Sequence, residues 1–244
     1  MNFRSSFLPN ISPVVKNLLI INVLAFIAQQ VLVAYFPITE RLALHYPAAE
    51  GFESYQLFTY MFLHADFSHL FFNMFPLFMF GIMLENHWGS KRFLLYYLVT
   101  GVGAGLVQFL VAWFSIRHYE GMLDYEQILK VYKDGLSVIQ QGMNYTDVNM
   151  RSLNLALNGQ TIGASGAVFG ILLAFGMLFP DIQLMLLFPP IPIRAKYFVM
   201  IYGAIELFMG VSNLQGDNVA HWAHLGGMVF GFFLILHWRK KGIY

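Results

Sequence analysis

Apolar residues fall in six long blocks, near 14–36, 67–88, 93–116, 161–180, 195–212 and 219–238. Each block approaches the roughly 20 residues that a helix needs to cross the hydrocarbon core of a bilayer. The pattern predicts an all-α polytopic membrane protein, with six transmembrane helices in one domain over residues 1–244. Trp88, Trp113, Trp222 and Trp238 stand near block ends, where interfacial anchors belong. Two intervening segments are long. Residues 37–66 are rich in Tyr, Phe, Leu and Met around YQLFTYMFLH, and are expected to lie in the interface or packed on the helices. In residues 117–160, the run MLDYEQILKVYKDGLSVIQQ has a loose helical apolar spacing. That spacing predicts one short amphipathic helix plus loop.

Composition strengthens the membrane reading. The chain is 58% hydrophobic and 11% charged, with a mean hydropathy of +0.59. Soluble domains usually carry about a quarter charged residues. A net charge of +1 gives no reason to expect nucleic-acid binding. With no cysteine, disulfides and thiol chemistry are excluded. The N-terminal MNFRSSFLPNISPVVKN lacks a signal-peptide pattern, so the first block is expected to remain as an anchor. With six spans both termini share a side, and that side holds nine of the fourteen Lys and Arg residues, on the shorter loops. Cytoplasmic termini follow from this asymmetry. The absence of a transit-peptide pattern favours a bacterial inner membrane over a mitochondrial one.

Polar side chains inside apolar spans are functional candidates by default. The second block opens DFSHLFFN, with His69 and Asn73 one turn apart on one helix face. Ser165 stands among small residues in TIGASGAVFG, which opens the fourth block, and His221 and His224 stand in VAHWAHLGG, which opens the sixth. All three blocks enter from the outer side, so Ser165, His69 and His224 are expected about one turn in, at a common depth. Gly166 and Gly170 make one G-x-x-x-G stripe, and Gly227 and Gly231 another. Such stripes let membrane helices approach closely. If the two stripes pack together, His224 comes within reach of Ser165. A serine needs an adjacent base to become a nucleophile, and histidine suits that task near neutral pH. Asn73, His69 and the backbone N–H of Ser165 could supply hydrogen bonds to an oxyanion.

No carboxylate lies in blocks four or six near this level, so a Ser–His dyad is expected, without the third member of the familiar triad. Glu206 in block five is an intramembrane carboxylate with two open readings, a protonated structural group or an influence on the gate. The spacing of His221 and His224 also suits a metal, but H-E-x-x-H is absent and no carboxylate is placed as a metalloprotease base. No metal and no cofactor are expected.

Together these elements resemble the rhomboid family of intramembrane serine proteases. The matching stretches are HADFSHLFFN (64–73), GIMLENHWG (81–89), GASGAVFG (163–170) and AHLGGMVFG (223–231). The resemblance implies a six-helix rhomboid-type bundle that cleaves transmembrane or juxtamembrane segments of membrane-protein substrates. It makes Ser165 the nucleophile, His224 the general base, and His69, Asn73 and the Ser165 amide the oxyanion hole. Phe169 would stack on the imidazole, and Gly163, Gly166, Gly227, Gly231, His64 and His221 would support the site. Glu85 and Gly89 match a structural pair at the cytoplasmic end of the second span. The resemblance also implies a mobile cap at 213–218, and a fifth span that flanks the substrate's route of entry. Where the family often has Trp-Arg in the first loop, this chain has Tyr55-Gln56, which puts arginine-dependent anchoring of that loop in question.

Taken alone, Ser165 could be a helix-packing serine, and His69 or Asn73 could serve helix contacts. Two functional alternatives stand beside the protease. A catalytically inactive relative would bind membrane helices but lack the serine or the histidine. A histidine-based proton-coupled transporter would keep its uptake in Ser165→Ala.

Overall fold

The computed structural model describes residues 11–33, 35–185, 190–212 and 219–243. Long helices dominate it: α1 (Pro13–Leu32), α4 (Phe67–Trp88), α5 (Ser90–Glu120), α8 (Ser165–Leu178), α9 (Ala195–Ser212) and α10 (His221–Lys240). Among the described residues, α1, α4, α5 and α9 are long and apolar enough to cross a membrane, and α8 is a shorter apolar helix. The architecture is all-α, a helical membrane bundle. Its one sheet among the described residues is a small antiparallel pair, β1 (Gln183–Met185) and β2 (Pro192–Arg194). The apolar periodicity gave no sign of this pair.

Helix α8 is buried almost all round and packs against α4, α5, α9 and α10. A helix that is apolar on every face belongs in the middle of a bundle. Its 14 residues span only about 21 Å, shorter than a typical hydrocarbon core. The expected helix start near 161 is corrected, because α8 begins at Ser165 itself. Residues before it are held extended. Thr161 pairs with Leu44 through two 2.9 Å hydrogen bonds, and the Gly163 N–H donates to the Tyr60 carbonyl at 2.9 Å.

The first long segment does that holding. It folds as α2 (Ile38–Leu42), α3 (Gln56–Thr59) and a 3₁₀ turn at Tyr60–Phe62, with Leu44, Tyr60, Met61 and Leu63 buried. Gln56 anchors it where the resemblance left the anchor in question. Its amide donates to the carbonyls of Gly51 (2.8 Å) and Arg41 (3.1 Å), and its oxygen accepts from the His45 N–H at 3.3 Å. Tyr60 Oη donates to the Gly101 carbonyl at 2.7 Å, tying the turn to α5.

The second long segment holds two helices rather than the one expected. They are α6 (Tyr125–Gln140), opened by an Asp124–Gln127 capping box, and α7 (Val148–Asn158). Ile116, Val131, Met150, Leu153 and Leu157 form a satellite core where α5, α6 and α7 meet. The Asn154 amide donates to the Gly135 carbonyl at 3.1 Å, and a Cβ on Gly135 would collide with that asparagine. The asparagines of α7 weaken its apolar pattern, so its helix depends on these tertiary partners.

At the end of the bundle away from Ser165, the buried Glu85 carboxylate accepts from the N–H groups of Val14 (3.0 Å) and Val15 (2.9 Å) and from Ser90 Oγ (2.7 Å). It satisfies donors at the start of α1 that have no helical partner, and its charge suits a helix N-terminus. Glu85→Ala is expected to destabilise the protein by about 2–4 kcal/mol, because it strands these donors inside the fold. Thermal unfolding in detergent checks this, with Glu85→Gln falling between alanine and wild type.

Candidate active site

Four helices converge at one end of the bundle. The close approach is made by small residues. A Cβ on Gly227 of α10 would land on the Gly166 carbonyl of α8, so the two backbones touch there. The glycine stripes of α8 and α10 meet at that point. Beyond it they receive α5, with Gly166 facing Ala104, Gly170 facing Thr100, and Gly231 facing Tyr96 and Thr100. The expected two-helix seam is therefore a three-helix junction. The TGVGAG run at 100–105 of α5 was the signal for it.

This junction brings Ser165 to His224. The Ser165 hydroxyl lies 2.8 Å from His224 Nε2. Ser165 is half-buried and His224 is buried. Phe169 stacks on the imidazole, with ring centres 4.2 Å apart and planes 8° from parallel. Tyr202 of α9 in turn stacks on Phe169, with ring centres 5.2 Å apart. Ser165 is the first residue of α8, whose N-terminus carries no side-chain cap. The first N–H groups of a helix have no helical partner and favour negative charge.

His69 and Asn73 come from α4, whose start is fixed by Asp66. That carboxylate accepts from the His69 N–H at 2.8 Å and from Ser68 Oγ at 2.6 Å. The Ser68 hydrogen bond, then the His69 amide, hold the exposed Asp66 carboxyl below its ordinary range. Gly163 lies between His69 and Ser165. It adopts φ +125°, which favours glycine, and a Cβ there would lie 2.8 Å from His69 Nε2 and 3.7 Å from Ser165 Oγ. Asn73 is buried and spends one N–H on the His69 carbonyl at 2.9 Å. His64 is fully buried and meets the His69 ring edge-on, with centres 5.0 Å apart. Burial, then the neighbouring His69, pushes the His64 imidazole down to about 4, so it is neutral at ordinary pH. The proposed cap at 213–218 lies outside the described residues.

One group changes the expected arrangement. Glu206 of α9 is buried, and its Oε2 lies 2.8 Å from His224 Nδ1 and 2.6 Å from His221 Nδ1. The expectation of a serine–histidine pair with no acid nearby is corrected. The carboxylate comes from the helix between the two that carry Ser165 and His224. The same three residues offer ligand atoms within 4.8 Å of one another, a set that could hold a metal ion.

The comparisons with known proteins agree with this architecture. The family model described as the rhomboid domain matches residues 51–241. The chain is 26% identical over 196 residues, 79% of its length, to the mitochondrial RHOMBOID-like protein 6 of Arabidopsis thaliana. It is 28% identical over 182 residues, 75% of its length, to the putative rhomboid protease YdcA of Bacillus subtilis. It is 24% identical over 172 residues, 70% of its length, to the rhomboid protease AarA of Providencia stuartii. The matches span 47%, 66% and 51% of those relatives, so the chain covers about half to two-thirds of their lengths. With the model matched over most of the chain, and with long apolar helices around a buried α8, this is an integral membrane protein that belongs to the rhomboid family.

Proposed function

We propose that the protein is an intramembrane serine endopeptidase that cleaves membrane-protein substrates in or beside their transmembrane helices. The observation that carries this reading is the 2.8 Å contact between Ser165 Oγ and His224 Nε2 at the uncapped start of α8. Two of the relatives are named as rhomboid proteases, which supports the same class of activity.

In this reading Ser165 Oγ attacks the scissile carbonyl carbon while its proton passes to His224 Nε2. The tetrahedral oxyanion is met by the Ser165 N–H and by side-chain donors of His69 and Asn73. The carbon–nitrogen bond breaks, and His224 returns the proton to the leaving amine. The ester on Ser165 is then hydrolysed by a water that gives its proton to His224, and Ser165 recovers its hydrogen as the ester bond breaks. A substrate helix must unwind locally first, because its carbonyls are otherwise hydrogen-bonded. The short α8 supports access of water to Ser165, since that residue begins its helix. The site opens to the outer face of what is read as a bacterial inner membrane, with both termini cytoplasmic.

A fluorophosphonate probe tests the nucleophile directly. It is expected to label the wild-type protein at Ser165, and His224→Ala is expected to slow labelling by about 100-fold or more. Labelling at another residue, or an undiminished rate in His224→Ala, overturns the reading.

A further inference from the structure

We infer that Glu206 is the positioning acid of the site, an arrangement equivalent to the third member of a triad but supplied by α9. The inference rests on the reading of Ser165 and His224 as nucleophile and base.

The geometry runs through one oxygen. Glu206 Oε2 lies within hydrogen-bond distance of Nδ1 of both His224 (2.8 Å) and His221 (2.6 Å). An ionised carboxylate only accepts, so each Nδ1 must carry hydrogen. That fixes the neutral His224 tautomer, with Nε2 bare and facing the Ser165 hydroxyl at 2.8 Å. A base poised for serine needs that tautomer. The same carboxylate sits beside the imidazolium once the proton has moved, and both groups are buried, where their attraction is screened less than in bulk water.

The ring is also held on one face. Phe169 stacks on its face, and Tyr202 backs Phe169. Packing thus keeps the imidazole plane, while Glu206 determines which edge meets Ser165. Glu206 also stands in a helix that is otherwise apolar around it, in the run IYGAIELFMG. A carboxylate there is expensive unless it is fully hydrogen-bonded. Two histidine donors meet that need, and one of them, His224, also meets Ser165.

A metal held by Glu206, His221 and His224 would use the same atoms differently. Its bond to Nδ1 would leave hydrogen on His224 Nε2, which could not then take the serine proton. The positioning acid and the 2.8 Å serine contact are compatible, whereas a resident metal and a catalytic base are not.

The test measures cleavage of a single-span substrate in proteoliposomes, with kcat and KM resolved. Glu206→Gln is expected to lower kcat by about 100-fold or more at nearly unchanged KM. Glu206→Asp should restore part of that loss. Ser165→Ala runs beside them. If Ser165→Ala is inert and Glu206→Gln turns over at the wild-type rate, the Glu206 assignment alone fails. If Ser165→Ala still cleaves, the underlying protease mechanism fails. Loss of wild-type activity with a chelator overturns the assignment in favour of a metal. Nitrogen-15 histidine spectra of the wild-type protein keep the test independent of variant folding. They should show His224 protonated on Nδ1 and bare on Nε2, and the opposite tautomer overturns the inference.

Discussion

Ser165→Ala is expected to lower kcat by about 10⁵-fold or more, while KM and thermal stability stay close to wild type. The reason is local. The Ser165 hydroxyl is the group that meets His224 Nε2 at 2.8 Å, so in the proposed mechanism its removal leaves the base without a nucleophile to activate. Alanine fits the first position of α8, because the change adds no atoms. The lost hydrogen bond is worth about 1 kcal/mol, which bounds the effect on stability. The paired variant Ser165→Ala with His224→Ala is expected to be no slower than either alone, since in the proposed mechanism the two side chains act as one unit. Turnover in Ser165→Ala within about tenfold of wild type would sink the proposed mechanism and revive a role that does not use the serine.

Gly227→Val is expected to abolish activity by a different route. A side chain there would strike the Gly166 carbonyl, which is backbone and cannot swing aside. The α8–α10 contact must then open, and with it the distance from Ser165 to His224. A misplacement of about 1 Å can cost about 100-fold in rate, so kcat should fall at least that far, together with a lowered unfolding temperature. Gly203→Ala is the matched control. Its Cβ would meet only the tip of the Met228 side chain at 3.2 Å, a group able to move. That variant should stay within about threefold of wild type, as small steric changes at yielding sites usually do. Equal losses in both variants would show that the α8–α10 contact has no special place.

How much of this was legible in sequence depends on the range of the interactions. The long helices were visible because lipid exposure demands runs of apolar residues, a property of the chain itself. The family followed from short stretches around His69, Ser165 and His224, and the rhomboid-domain match agrees with it. Ser165 and His224 were legible as candidates because a polar group in an apolar helix needs a reason. The helix count in 117–160 was not legible, since α7 owes its form to contacts with α5 and α6 rather than to its own apolar spacing.

By itself, then, the sequence determined an all-α membrane bundle and nominated a serine and a histidine that could meet across glycine-rich helices. Tertiary structure alone decided the remainder. The extended pairing of Thr161 with Leu44 set the start of α8 at Ser165, and α5 entered the glycine junction through Thr100 and Ala104. The packing of α9 on α10 carried Glu206 to the back of His224, 18 residues away along the chain. Periodicity reports which face of a helix is apolar, but not which neighbour that face will meet. A lone carboxylate in a lipid-spanning helix can be a liability or a partner, and only the packing of its neighbours distinguishes the two.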